Sequence, residues 1–358
     1  MKLLYATSIT LPSYRANRVQ ITSMARAWTG LLGKDFTLGV GSVADDSLQD
    51  VNHVVMGERV RSYKLSWEYL RYARENGVTH IYCREERLLL FMLVYNQLFF
   101  RMPLTFCYEL HHLVYLAVWW HKLMLRRVSH IISITSAMKN VLVELGYPEK
   151  NILIAPDAVD LSLFNTTIGK EEARRRLGLP REEKIVVYTG DLDEPWKGVG
   201  TLYEAAKQLG SGYLFLVVGS KPHHIEYFRA SHPDLPQFKL IGHKPHREIP
   251  LYIRSADVVV LPNSGKTEIS KISTSPMKLF EYMASDVPIV ASDLPSVREI
   301  VDEGSARLVE PDSSESLAQG IKEALQYPEE AAARARRARL AVESHTWEKR
   351  AAAILESI

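Results

Sequence analysis

The chain has 358 residues, beyond the roughly 250–300 at which one hydrophobic core stops growing, so two domains are expected. Hydrophobic residues at 46%, charged residues at 24%, 19 Gly and 17 Pro exclude collagen-like, disulfide-scaffold and largely disordered classes. Forty-four Lys and Arg against 42 Asp and Glu give a formal charge of +2, which carries no signature of a nucleic-acid binder.

The opening MKLLYATSITLPSYR has a lysine before an apolar stretch, but Tyr5, Thr7, Ser8 and Thr10 interrupt it and no small-residue cleavage site follows. It reads as a first strand rather than a signal peptide. Short β-branched or aromatic runs then alternate with amphipathic stretches, the pattern of parallel strands joined by crossover helices. Strands are expected near 2–9, 36–42, 80–84, 104–110, 130–136 and 152–156. Cys83 and Cys107 fall in these runs without metal-ligand spacing, as reduced buried thiols of a cytoplasmic protein would. The apolar run Leu88–Tyr95 is far short of the ~18–20 residues that span a bilayer, so no segment is expected to cross one.

In IAPDAVDLSLFNTTIGKEEARRRLGLP the strands give way to a polar loop and a charged helix starting near Lys170, which puts a domain boundary near 165. Strands resume near 184–190, 213–219, 238–241, 257–261, 288–292 and 306–309. The terminal helical stretch breaks near Ser344 to Thr346, and its last helix is expected to pack back on the first domain. The fold class is α/β, with domains at 1–165 and 166–340 and a closing helix at 341–358. Two doubly wound sheets facing one another leave a cleft at the carboxyl ends of their strands, where ligands of open α/β sheets bind.

Ser275 followed by Pro276 reads as a helix start, with the hydroxyl capping amides and the proline filling the first helical position. A helix from Pro276 to about Ser285 offers its amide end and dipole to an anion such as a diphosphate. Lys278 and Glu281 lie three apart on one face, either as a surface ion pair or with Glu281 accepting the vicinal hydroxyls of a ribose. After the strand KIVVYTG, Lys197 beside Gly198 joins an ammonium to a backbone able to approach a leaving phosphate closely.

The blocks YTGDLDEPWKGVGTLYEAA, YLFLVVGS, KLIGHKPHREIPLYIRSADVVVLPN, SPMKLFEYMASDVPIVASDLPSVREI, LVEPDSSESLAQGIKEAL and TWEKRAA cover most of 184–350. In that order they resemble the retaining glycosyltransferases of family 4, glycosyl transferases group 1. That family has the GT-B architecture, two doubly wound Rossmann-like domains facing across a cleft. The first half matches more loosely, through PSYRANRVQITSMARAW, CREERLLL, PLTFCYELHHL and IAPDAVDLSLF. The resemblance implies that Lys197 binds the donor diphosphate, Glu281 its ribose, and His111 or His112 the transferred sugar. His111 is favoured because it alternates with Glu109 on an extended strand end, although a packing histidine is the competing reading. It also implies donor contacts from Gly190 and Gly198, from Gly242, His243 and Lys244 at the base, and from Ser273, Thr274, Ser275, Pro276, Met277 and Lys278 near the phosphates.

Several positions depart from the family. Ser273 stands eight before Glu281 where many members carry a glutamate, leaving Glu268, or the hydroxyls of Ser273 and Thr274, as substitutes. Asp191 stands six before Lys197 where an arginine is frequent. A carboxylate there repels a diphosphate unless it turns away, which makes Lys278 the second cation. Asp286 replaces a glycine at a helix end where positive φ is expected, and Pro12 to Gln20 replaces a glycine-rich turn.

The expected function is metal-independent transfer, with retention, of a hexose or its derivative from a nucleotide diphosphate sugar to a saccharide or lipid-linked acceptor. Surface polysaccharide or glycolipid assembly is the expected setting, with no further cofactor and no nucleic-acid partner. One alternative is a catalytically weak nucleotide-sugar-binding protein of the same fold. Another is a transferase holding a metal through Asp191 and Asp193, against which these read as turn-forming aspartates. The apolar and aromatic residues of LLLFMLVYNQLFFRM and LAVWWHKLMLRR, beside Arg101, His121, Lys122, Arg126 and Arg127, read either as core or as a peripheral contact with an anionic membrane at its cytoplasmic face.

Overall fold

A computed structural model describes residues 1–11, 16–57, 60–111, 113, 119–192 and 195–358. The chain divides into two compact units, Met1–Ala158 with Trp347–Ile358, and Val159–Thr346. The first unit carries β1 (Leu3–Ala6), β2 (Thr10–Leu11), β3 (Phe36–Val40), β4 (Ser42–Val43), β5 (His53–Val55), β6 (His80–Cys83), β7 (Thr105–Leu110), β8 (His130–Ser133) and β9 (Ile152–Ile154). Among the described residues, seven of these form a parallel sheet in the order β5-β3-β1-β6-β7-β8-β9, and β2 pairs with β4. Every residue of β1 and β3 is buried. Both faces of the sheet are covered, which is why these strands read as unbroken apolar runs rather than alternating ones.

The helix Trp347–Ser357 belongs to this first unit, burying Trp347, Arg350, Ala351 and Ile354 at the three-and-four spacing of one helix face. Trp28 receives it: its indole Nε1 donates to the Ala351 carbonyl at 3.2 Å. The Trp28 ring stands edge-on to Tyr5 and Tyr82, with centroids at 5.6 and 4.8 Å, and lies 5.7 Å from Phe36.

The second unit carries β10 (Lys184–Thr189), β11 (Tyr213–Ser220), β12 (Phe238–Gly242), β13 (Val258–Leu261), β14 (Ile289–Ser292) and β15 (Arg307–Val309), parallel in the order β12-β11-β10-β13-β14-β15. Successive side chains of β10 enter opposite cores, Ile185 and Val187 on one face and Val186 and Tyr188 on the other. In each sheet the order reverses beside the first strand, between β1 and β6 and between β10 and β13. Such reversals leave room for ligands outside the carboxyl ends of the strands.

Every strand expected from the sequence is present, most of them shorter at the ends. The additional strands are short and lie at or off the sheet edge; β5 is half-exposed, so no apolar run announces it. The division falls at 158/159 rather than near 165, because Val159 and Phe164 pack into the second core. The returning segment starts at Trp347 rather than 341, because Val342 is also part of that second core. Among the described residues no helix is long and apolar enough to cross a membrane.

Because Trp28 joins the closing helix to three aromatic rings, Trp28→Ala is expected to cost about 3–5 kcal/mol. Urea denaturation followed by circular dichroism measures this as a lowered midpoint, with Trp28→Phe recovering part of the loss.

Candidate functional site

In the second unit, chemistry-bearing residues gather where β10 and β13 end. Gly190 follows β10 with φ +143°, and a Cβ there would lie 2.7 Å from Lys278 Nζ. Lys278 reaches back from the helix Met277–Ala284 to donate to the Tyr188 hydroxyl at 2.7 Å, its ammonium 4.1 Å from that ring's centroid. Gly198, after the half-buried Lys197, has φ +69°, and a Cβ there would stand 1.8 Å from the Pro262 carbonyl oxygen. Only glycine permits this approach of the Lys197 loop to the end of β13. The loop is tied again by the Ser264 amide, which donates to the Trp196 carbonyl at 2.7 Å.

Glu281 sits one turn along the same helix, its side chain 11% exposed. It does not pair with Lys278; its Oε1 lies 2.7 Å from His246 Nε2. Burial alone would lower the His246 pKa, but the bond to Glu281 and its charge, with Asp160, raise it above the ordinary histidine value. The helix begins at Met277, with Pro276 at the cap position in extended backbone and no side-chain cap. The expected Ser275 cap with Pro276 as first helical residue is therefore corrected by one position: the Pro276 carbonyl accepts from the Leu279 amide at 2.8 Å.

Ser273 is buried at the end of the helix Glu268–Ile272, and the Thr274 hydroxyl donates to the Ile269 carbonyl at 2.7 Å. Glu268, the proposed substitute carboxylate, is 75% exposed and lies 4.0 Å from Lys271. Asp191 is turned to its own neighbourhood: Oδ1 accepts from the Leu192 and Lys221 amides at 2.9 and 3.2 Å and lies 2.7 Å from His224 Nδ1. Burial opposes its ionisation, and these bonds outweigh it, so its pKa is lowered. Asp193 lies outside the described residues; among the described ones no metal-binding cluster of His, Cys, Asp and Glu occurs. Gly242 closes β12 opposite Ser220, and His243 and Lys244 follow it. His243 is lowered in pKa by partial burial, against the attraction of Asp191, which places it near that carboxylate. Asp286 has φ +59°, as its place at the helix end required.

In the first unit a buried polar cluster occupies the carboxyl side of the sheet. Glu109, fully buried on β7, accepts from Gln20 Nε2 at 2.7 Å, the Tyr82 hydroxyl at 2.6 Å and Arg350 Nη2 at 2.7 Å. Burial drives a carboxyl upward in pKa, but Arg350, His111 and Arg84 hold Glu109 well below the ordinary range. His111 Nε2 lies 3.1 Å from Glu109 Oε1, and burial, followed by the charge of Arg84, lowers His111 to about 4, so it is neutral at neutral pH. Gln20 ties the cluster together, donating to Asp157 Oδ1 at 2.7 Å and accepting from Arg84. Burial pushes Asp157 up to about 6. At the strand-order reversal, Glu85 accepts from the Ser8 amide at 2.7 Å and hydroxyl at 2.6 Å. His112, like Pro12–Arg15, lies outside the described residues.

Residues 169–341 match the family glycosyl transferases group 1. This group 1 segment fills nearly all of the second unit. Two curated relatives align over about half of this chain. A protein named for teichuronic acid biosynthesis, the glycosyltransferase TuaC of Bacillus subtilis strain 168, is 28% identical over 169 residues, 47% of this chain and 40% of the relative. Phosphatidyl-myo-inositol mannosyltransferase of Mycolicibacterium smegmatis is 29% identical over 171 residues, 46% of this chain and 41% of the relative. The chain thus spans about two fifths of the length of these relatives. A crystal structure of Anabaena HepE with UDP and glucose covers 100% of both chains at a TM-score of 0.81 and 16% identity. At that identity the likeness concerns the fold, which is GT-B, with two Rossmann-like domains.

Outside the group 1 segment, the stretch 88–101 is part core and part surface. Leu88, Leu89, Met92 and Leu93 are buried, whereas Val94, Leu98 and Phe99 are exposed, Leu98 at 57% and Phe99 at 61%. Trp67 on the helix Ser62–Asn76 meets Tyr95, Phe99 and Phe100 edge-on at 5.6, 5.6 and 4.8 Å. Lys64 and Arg101 are exposed on the same elements and the turn that ends them, and Arg71, also exposed, is paired with Glu68 at 2.8 Å and Glu75 at 3.8 Å. His121, in contrast, is fully buried beside Tyr108.

The raised pKa of Asp157 has a sign. Below about pH 4 the acid is protonated folded or unfolded; as pH climbs to about 6 the unfolded chain ionises first, so Asp157 destabilises the fold increasingly. Asp157→Asn retains an oxygen for Gln20 and is expected to raise stability by about 1–3 kcal/mol at pH 7–8. Denaturant titrations across pH 4–8 check that the gain disappears at the acid end.

Proposed function

We propose that this chain is a retaining, metal-independent glycosyltransferase of family 4. It moves a hexose or hexose derivative from a nucleotide diphosphate sugar to a saccharide or lipid-linked acceptor in cell-surface polysaccharide or glycolipid assembly. The observation that carries the reading is the grouping at the ends of β10 and β13. There Lys278 lies against Gly190 and Tyr188, and the Lys197 loop is pressed onto Pro262 through Gly198. The names of the relatives, and the UDP and glucose bound by HepE, support it.

A glycosyl donor breaks through an oxocarbenium-like state while negative charge gathers on the leaving diphosphate. Lys197, Lys278 and the amino end of Met277–Ala284 stabilise that charge, and fixed electrostatics of this kind supply the largest share of many rate enhancements. Glu281 offers acceptor oxygens to the ribose hydroxyls, and the segment Gly242–Lys244 meets the base. His111, neutral and held beside Glu109, forms a hydrogen bond at the transferred sugar without adding positive charge next to an oxocarbenium. Attack on the face the diphosphate leaves gives retention with no protein nucleophile.

Incubation with a panel of uridine and guanosine diphosphate sugars is expected to reveal slow donor hydrolysis or transfer that persists in excess chelator. Lys197→Ala or Lys278→Met is expected to lower the rate about a hundredfold or more. Donor binding with no turnover would instead favour the weak-binder alternative, which the buried Ser273 and exposed Glu268 support.

The exposed Trp67, Leu98 and Phe99 beside basic side chains suit the interface of an anionic bilayer, and with it a lipid-linked acceptor. Flotation with vesicles containing phosphatidylglycerol is expected to carry the wild type upward, and Trp67→Ser with Phe99→Ser to leave it behind.

A further inference from the structure

We infer that His246 is a positioning residue for Glu281, and through it sets the preference of the site for ribonucleotides over deoxyribonucleotides. The inference rests on the reading of Glu281 as the ribose-binding carboxylate. His246 follows β12, 35 positions before Glu281, and lies 2.7 Å from its Oε1. The ring is itself held: Phe164 meets it edge-on, with centroids 5.8 Å apart. Its side chain is 34% exposed, so it borders solvent rather than serving as core.

A glutamate side chain has three rotatable bonds, and an unrestrained carboxylate samples orientations of which few match a vicinal diol. With Oε1 held by His246, rotation of the carboxylate is restricted, and Oε2 together with the second lone pair of Oε1 remains as one acceptor edge. Two hydroxyls on adjacent carbons fit that edge; a single hydroxyl leaves part of it unsatisfied. A glutamine at 246 keeps a donor for Oε1, whereas leucine of similar bulk removes it.

The test titrates wild type, His246→Leu, His246→Gln and Glu281→Gln calorimetrically with uridine, guanosine and adenosine diphosphates and with their 2′-deoxy counterparts. The wild type is expected to prefer one ribonucleotide over its deoxy form. His246→Leu should bind that ribonucleotide about tenfold more weakly while leaving the deoxy affinity nearly unchanged, which also reports an intact fold. His246→Gln should stay within about threefold of wild type. If Glu281→Gln abolishes the preference and His246→Leu keeps it, the role of His246 is overturned and that of Glu281 stands. If neither substitution alters the preference, or no diphosphate binds, the reading of Glu281 fails and takes this inference with it.

Discussion

A parallel sheet that changes winding direction beside its first strand cannot cover the carboxyl ends of the two strands at the reversal with a crossover connection. That constraint governs the second unit. β10 and β13 are neighbours although two strands separate them in the chain, so the loops following them are free to approach one another. Gly198 lets the first loop touch the Pro262 carbonyl, and the helix after the second loop sends Lys278 back over Tyr188. The placement of Lys278 and of the Lys197 loop at these strand ends follows from the winding and from one residue without a side chain.

The first unit meets a comparable problem with charge instead of shape. Glu109 is removed from water, and a buried carboxylate is tolerated only with counter-charge and hydrogen bonds close by. Arg350, Gln20 and Tyr82 supply them from three different elements. The cluster fixes the chain just beyond β7, where His111 emerges, and its second carboxyl, Asp157, is the one whose ionisation burial opposes.

The strands were legible because both sheets bury both faces, so apolar runs and turn residues mark them directly. The positive φ of Asp286 was legible too, since a helix end has a local chemistry that one residue betrays. What stayed hidden was pairing across sequence distance. Lys278 and Glu281 look like partners at a spacing of three, yet each has a partner elsewhere, Tyr188 and His246, which no periodicity connects to them. The cap at Ser275 was misplaced by one residue because serine before proline suits either register, and the choice falls to the Pro276 carbonyl. Arg350 reads as an ordinary charged position of a terminal helix, and only the packing of Trp347, Ala351 and Ile354 turns it inward toward Glu109.

The helix Trp347–Ser357 completes a unit whose other residues end at Ala158. On a ribosome the whole second unit is made in between, which at about 5–20 residues per second takes on the order of ten to forty seconds. During that interval Glu109 lacks Arg350, and the indole of Trp28 lacks the carbonyl it will bind. The first unit therefore waits, incomplete, for its returning helix to be synthesised, and the second unit is the first whose residues are all present.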